Sequence, residues 1–341
     1  MSNKLTIQRI AELADVSKAT VSRVLNEYPH VRPEVREKVQ RVISETGYQP
    51  NNIARLLASD RSSIIGLVIS ASAQMVFNDP YFPALTEAIS RGAADNSLIL
   101  SLFVSYTEKQ GRDTLSGILA AGLLDGLIIT ADHKGDAFIS QLQEAEIPFV
   151  FIGRPSEAEG INYVDADNLK GGYLATSHLT GLGYGRIGTI ASDQNTAGDD
   201  RLAGYRSALE ERGIAIDEEL LAFGDYTLES GYVAMKKLIQ RKPEAVFVGS
   251  DTMALGALRA LREAGWRVPQ DIAVVSHDDL PPAVQADPPL TTVRQQISRT
   301  GQMAVEKLAQ IIMTGKASPA QHIINPVKLI VRESCGAAQL N

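Results

Sequence analysis

The sequence predicts a small all-α head followed by an α/β core of two lobes built on parallel sheets. Apolar residues recur at helical spacing through three short stretches before residue 48, and from Ile64 onward short apolar runs alternate with amphipathic segments. Length agrees, since 341 residues suit about two domains of roughly 150 residues each. Charge is the third observation. Residues 1–61 hold ten Lys and Arg against seven Asp and Glu, and the remainder holds 23 against 33. A basic head is thus joined to an acidic body in a chain of net charge −7. That asymmetry is one footprint of a nucleic-acid-binding module attached to a domain with other work.

The head reads in order. Thr6 can cap a first helix whose apolar stripe is Ile7, Ile10, Ala11, Leu13 and Ala14, and Asp15-Val16 interrupts it. Ser17 can cap a second helix, Lys18–Leu25, which turns Val21, Val24 and Leu25 inward and leaves Lys18, Ala19, Ser22 and Arg23 outward. A third stripe, Val35, Val39, Val42 and Ile43, begins at Pro33 and ends at Gly47. Three short helices with a tight first turn suit a helix-turn-helix over residues 5–48, whose second helix offers its first residues to base edges in the major groove. The same periodicity also fits a plain helical subdomain in which Lys18 and Arg23 are solvated charges. Beyond Gly47-Tyr48-Gln49-Pro50, Asn51-Asn52 can cap only the short stretch Ile53–Ser59. An isolated helix of that length, well under about 12–15 residues, is marginal in water and needs a partner.

In the body, apolar runs at Ile64–Ile69, Leu98–Val104, Gly126–Thr130, Pro148–Ile152, Ile187–Ala191, Ala245–Gly249 and Ile272–Ser276 predict strands. Helical patterns over 81–95, 108–121, 168–182, 200–212, 229–240 and 252–265 separate them. Strands alternating with helices imply parallel sheets with right-handed crossovers, and ligands in such sheets bind beyond the carboxyl ends of the strands. Two comparable sets of strands predict two lobes around a cleft.

Composition and motifs exclude much else. With 44% hydrophobic and 21% charged residues the chain is an ordinary globular protein. Charges break the apolar residues of its amino terminus, and no run approaches the roughly 18 apolar residues of a membrane span, so a cytoplasmic protein with no membrane partner is expected. The single cysteine, Cys335, has no disulfide partner and no metal-ligand companions; no metal and no cofactor are expected. Gly183-Tyr184-Gly185-Arg186-Ile187-Gly188 satisfies the dinucleotide pattern of a dehydrogenase, but a helix precedes it and a strand follows, the reverse of the context that fingerprint needs. His30, His133, His178, His277 and His322 are scattered. Asp278-Asp279 could be imagined as an acid–base or metal pair, but neighbours in an extended segment point to opposite faces. A non-enzyme is expected.

ThrIleGlnArgIleAlaGluLeuAlaAspValSer (6–17), AlaThrValSerArgValLeuAsn (19–26) and GlyTyrGlnProAsnAsnIleAlaArgLeuLeuAla (47–58) resemble the head and hinge of the lactose-repressor (LacI/GalR) family of bacterial transcription regulators. ArgLeuAlaGlyTyr (201–205), GlySerAspThrMetAlaLeuGly (249–256), Val275–Asp279, ProProLeuThrThrValArgGln (288–295) and LeuIleValArgGluSer (329–334) continue the resemblance in order. It implies a helix-turn-helix domain at 1–48, a hinge helix at 49–61, and a periplasmic-binding-protein-like core. The core's lobes would comprise 62–163 with 293–324 and 164–292 with 325–336, crossing near Val164, Thr292 and Asn325, and 337–341 would be a tail. It implies double-stranded operator DNA as partner, a homodimer, and a small-molecule effector, a sugar or oligosaccharide.

Carried over by position, Lys18, Ala19, Ser22 and Arg23 would read bases, and Thr6, Ser17, Thr20 and Asn26 would contact phosphates. Asn51, Ala54 and Leu57 would meet DNA from the hinge, with Leu57 the minor-groove wedge and Leu56 packed beneath it. Phe82, Arg201, Tyr226, Ser250, Asp278 and Gln295 would bind the effector. The bland alternatives are a salt bridge from Arg201 to Asp200 or Asp199 and a loop cap at Asp278. Gly153, Ser250 and His277 depart from the lactose-type pattern, and the GlyArgPro at 153–155 and the 70–82 loop are similar to members answering glucosides or maltodextrins. No heptads follow residue 329, which favours a dimer. A sugar-binding transport protein would share the body but not the head.

Overall fold

Capping chemistry sets the head. Thr6 accepts the N–H of Arg9 at 3.3 Å and starts α1 (Ile7–Leu13); Ser17 accepts that of Thr20 at 3.1 Å at the start of α2 (Lys18–Leu25). Between them the chain turns at Asp15 (φ 45°), and α3 (Pro33–Thr46) ends at Gly47 in the left-handed conformation, φ 63°. Ile10, Ala11, Ala14, Val21, Val24, Val39 and Tyr48 form the core. Leu13, expected in the inward stripe, is 45% exposed. The buried face is centred on Ile10, Ala11 and Ala14, and at about 100° per residue Leu13 falls to its side.

The computed structural model describes residues 5–25, 28–48, 62–105, 117, 122–130, 142, 146–315 and 319–337. The hinge with Asn51, Ala54, Leu56 and Leu57, the phosphate-contact candidate Asn26, most of the expected helix over 108–121 and most of the tail lie outside them. The chain divides into two units, Met1–Ser62 and Ser63–Asn341.

The second unit carries two six-stranded sheets. β1 (Ile64–Ser72), β2 (Ile99–Ser105), β3 (Gly126–Thr130), β4 (Phe149–Ile152), β5 (Tyr163–Ala166) and β11 (His322–Asn325) stand in the order β11-β5-β4-β3-β1-β2, all parallel. β6 (Ile187–Ala191), β7 (Leu221–Phe223), β8 (Ala245–Val248), β9 (Ala273–Asp278), β10 (Thr291–Arg294) and β12 (Lys328–Ile330) stand in the order β12-β10-β9-β8-β6-β7, antiparallel only between β10 and β12. Central strands such as β3, β6 and β8 are buried along their whole length, as helices on both faces of a parallel sheet require. In the first lobe these include α4 (Ala73–Asn78), α5 (Tyr81–Asp95) and α11 (Ile297–Thr314); in the second, α6 (Asn168–Gly181), α7 (Thr196–Glu211), α8 (Leu228–Ile239), α9 (Asp251–Glu263) and α10 (Pro281–Gln285). Among the described residues no helix is long and apolar enough to cross a membrane.

The chain crosses between the sheets after Ala166, after Arg294 and after Asn325. The first two crossings fall later than the expected Val164 and Thr292, because β5 and β10 complete their ladders with β11 and β9 before the chain leaves. Glycines bring the helices of the second lobe into backbone contact. A Cβ on Gly172 of α6 would sit 2.0 Å from the carbonyl oxygen of Arg201, and one on Gly256 of α9 would sit 1.9 Å from that of Leu228.

Candidate functional site

Two places in the chain present chemistry outward. On α2, Lys18, Ala19 and Arg23 are exposed, Ser22 and Thr20 are half-buried, and Val21 and Val24 are buried below them. Ser17 and Thr20 share a hydroxyl–hydroxyl bond of 2.8 Å. Capping uses lone pairs, so Thr6 and the Ser17–Thr20 pair each keep an O–H proton that can be donated to a phosphate.

The other place is a cavity of about 320 Å³ between the lobes of the body. Loops at the carboxyl ends of strands from both sheets line it: Asp79 and Phe82 beyond β1, Gly153 and Arg154 beyond β4, Asn195 and Thr196 beyond β6, Tyr226 beyond β7, Asp278 at the end of β9, and Gln295 after β10. This is where an open parallel sheet places its ligand. Of the residues expected to bind effector, Phe82, Arg201, Tyr226, Asp278 and Gln295 line this one cavity. Ser250 does not. It is 2% exposed, and its hydroxyl accepts the N–H of Met253 at 3.2 Å as the cap of α9. A serine before a helix carries the same signal for either role.

Arg201 sits on α7 with 7% exposure. Its Nε donates to Asn168 Oδ1 at 2.9 Å and its Nη1 to Gly249 O at 2.6 Å, and Nη1 lies 3.7 Å from Asp278 Oδ1. The expected alternative partner, Asp200, pairs instead with Arg154. These contacts fix the guanidinium and leave Nη2 to donate to a ligand. Asp278 follows suit. Gln295 Nε2 donates to its Oδ1 at 2.7 Å and His277 Nδ1 at 3.0 Å, so Oδ2 is the oxygen left for a hydroxyl donor. It does not cap a helix, since α10 begins after Leu280.

The backbone holds this geometry under strain. Asp278 has φ 119° and Asp279 φ 59°, conformations that cost a non-glycine residue about 1–3 kcal/mol each. The surroundings offset it. Asp279 turns away from the cavity and accepts from Arg294 Nε and Arg332 Nη2, and Asp251 accepts the N–H of Leu280 at 2.7 Å and the hydroxyls of Ser276 and Thr292. The adjacent aspartates thus diverge, through positive-φ backbone and not the extended segment expected, and among the described residues no cluster could hold a metal.

Burial sets the protonation states. It pushes the His277 imidazole down to about 4, with the Arg201 charge adding to it. The ring is neutral and must carry its proton on Nδ1 to donate to the Asp278 carboxylate. Its Nε2 rests against Gly171, where a Cβ would come within 2.5 Å. Burial also raises Asp79 and Asp165 to about 6, and burial followed by the nearby Asp278 raises Asp251 to about 7. The aromatic walls are Tyr81, Phe82, Phe151 and Tyr226; Tyr226 has φ 69° and donates its hydroxyl to Asn195 Oδ1 at 2.9 Å. Paired hydroxyl acceptors and donors beside aromatic faces suit a polyol ring.

Sequence reasoning missed Asp165, Asn168, Asn195 and Thr196, and reached Asp79 and Arg154 only as members of the 70–82 loop and the 153–155 segment; all six are lining residues. Asn168 is the first residue of the expected 168–182 helix, whereas Asn195 precedes the expected 200–212 helix and caps one that starts earlier, at Thr196. In the glycine run 183–188, Gly183–Arg186 turn between α6 and β6, with Gly183 at φ 93° and the N–H groups of Gly185 and Arg186 donating to Glu244, and Ile187-Gly188 begin β6; the run opens no helix.

A helical head and a two-lobed body with a polar cavity at its strand ends have the architecture of a DNA-binding regulator. Residues 6–51 match the model of the bacterial regulatory proteins of the lacI family, and residues 176–335 match the periplasmic binding protein-like domain. The HTH-type transcriptional regulator CelR of Thermobifida fusca is 40% identical over 336 residues, covering 96% of this chain and 98% of the relative. The HTH-type transcriptional repressor PurR of Erwinia tasmaniensis is 36% identical over 335 residues, 96% of each. Among solved structures, a CelR–cellobiose complex superposes with a TM-score of 0.77 at 37% identity, covering 97% of this chain and 99% of that one. The lac repressor dimer bound to operator and the anti-inducer ONPF gives 0.86 at 29% identity, covering 98% and 99%. The chain belongs to the LacI family of DNA-binding transcription regulators, and is not an enzyme.

Proposed function

We propose that this regulator is a repressor of a carbohydrate-utilisation operon in the cytoplasm, binding a near-palindromic operator as a homodimer and changing its operator affinity when a β-linked disaccharide of the cellobiose class occupies the cavity. One observation carries the ligand reading. Arg201 and Gln295 hold Asp278 by Oδ1 so that a carboxylate oxygen and a guanidinium nitrogen remain for hydroxyls beside Phe82 and Tyr226. The cellobiose bound by the CelR relative supports it. Lys18, Ala19, Ser22 and Arg23 read bases, Thr6, Ser17, Thr20 and Asn26 hold phosphates, and Asn51, Ala54 and Leu57 act from the hinge. Ligand and DNA each prefer one arrangement of the lobes, so each alters the other's affinity reciprocally.

Thermal-shift screening of the full chain against mono- and oligosaccharides and purines, with operator binding measured beside it, tests the proposal. Stabilisation by cellobiose together with a changed operator affinity is expected; stabilisation by nucleobases alone rejects the carbohydrate class. On the DNA side, Lys18→Ala should cost about 1–3 kcal/mol on operator and relax base preference at one position, whereas loss of a phosphate contact at Thr6 should weaken all sequences alike. Fluorescence anisotropy on a set of single-base operator variants separates the two. Equal losses on every variant for Lys18→Ala would remove it from the reading set.

A further inference from the structure

The lobes meet at the edge of the cavity through Arg154. Gly153 turns the chain after β4 (φ 90°), and the backbone N–H of Arg154 donates to Asp165 Oδ2 at 3.0 Å within the first lobe. The rest of the residue reaches the second lobe. Thr196 donates its hydroxyl to Arg154 O, and Nη2 of Arg154 lies 2.6 and 2.7 Å from the two oxygens of Asp200. Thr196 and Asp200 stand four apart on α7, hence on one helix face. Arg154 and Thr196 line the cavity, yet the Arg154 and Asp200 side chains are 35% and 26% exposed. The ion pair therefore stands at the cavity edge, partly exposed, with Arg154 in the lining and Asp200 behind it.

We propose that the Arg154–Asp200 pair is the wall that sets ligand length. The space of about 320 Å³ behind it lies at the lower end of the roughly 300–1,000 Å³ usual for ligand pockets, room for a short sugar and not for a chain. An oligosaccharide longer by one ring has to pass where Nη2 meets the carboxylate, and so must part the charges and displace α7 from Arg154. A pair this exposed contributes little to folding, so its substitution acts on the wall and not on the body. Phe82, Tyr226 and Asp278 choose a sugar; this pair chooses how many rings. The proposal rests on the carbohydrate reading above.

Calorimetric titration of the full-length protein with cellobiose and with cellotriose tests it. The wild type should prefer the disaccharide, and Asp200→Ala and Arg154→Ala should each raise the ratio of trisaccharide to disaccharide affinity at least tenfold. The Arg154→Asp/Asp200→Arg double substitution, which restores a pair of opposite order, should bring the ratio back toward the wild-type value. A purely structural defect lowers both affinities together; a ratio unchanged in both single variants overturns the wall. Wild-type protein that binds neither sugar overturns the carbohydrate reading and the wall with it, whereas disaccharide binding with an insensitive ratio overturns the wall alone.

Discussion

Arg201→Lys is expected to weaken effector binding by about 10- to 100-fold while leaving operator affinity in the absence of effector within a few-fold of wild type. The magnitude follows from the contacts. Lysine keeps the charge but is a single point donor, and it cannot hold Asn168 and Gly249 O while leaving a second nitrogen for a ligand. The loss is one charge-assisted hydrogen bond, about 1.5–3 kcal/mol. Arg201→Ala is harsher in a different currency, since it strips Asp278 of its cation in a buried site, a change that costs about 3–5 kcal/mol of stability. Calorimetry of ligand binding and thermal melting, run side by side on the two variants, should show Lys deficient chiefly in binding and Ala in both. If the Lys variant binds effector as the wild type does, the guanidinium fork plays no part in recognition and the cavity reading loses its main donor.

The head was legible because its signals are local. Thr6, Ser17, Pro33 and Gly47 mark helix ends by capping chemistry that acts over three or four residues, and each stands at the end it marks. The runs at Ile64, Gly126, Ile187 and Ala245 were likewise legible, being short, apolar and enriched in β-branched residues, as doubly covered strands are. Strands β5, β7, β10, β11 and β12 were not. β5 reads Tyr163-Val-Asp-Ala and β10 Thr291-Thr-Val-Arg; such segments have too few apolar side chains to announce burial, and they are strands because a neighbouring ladder makes them so. The site divides on the same line. Arg201, Asp278 and Gln295 came from motifs, while Asp79, Asp165, Arg154 and Thr196 enter through contacts between segments far apart in sequence, and no local pattern specifies those. Ser250 shows the converse hazard, where a local pattern serves packing as well as function.

Gly172→Ala should both destabilise the body and disable its response to effector, because the methyl group and Arg201 compete for one place. The Cβ would lie 2.0 Å from the Arg201 carbonyl oxygen, a backbone atom that cannot rotate away, so α7 must move off α6. Overpacking of this kind costs about 1–3 kcal/mol and on occasion more. At the reciprocal contact, a Cβ on Gly204 would lie 2.0 Å from Leu169 O, so the helix pair has no slack to absorb the shift. A displacement of α7 carries Arg201, Thr196 and Asp200 with it and withdraws the guanidinium from Asn168 and Asp278. Gly301→Ala is the control: its Cβ would lie 2.7 Å from the Ala88 Cβ in the α5–α11 crossing of the first lobe, away from these contacts. Both variants should melt lower by several degrees, at about 2–4 °C per kcal/mol for a unit of this size, but only Gly172→Ala should lose effector affinity beyond what its stability loss explains. Equal affinity losses in the two would mean that Arg201 is not held in register by the close approach of α6 and α7.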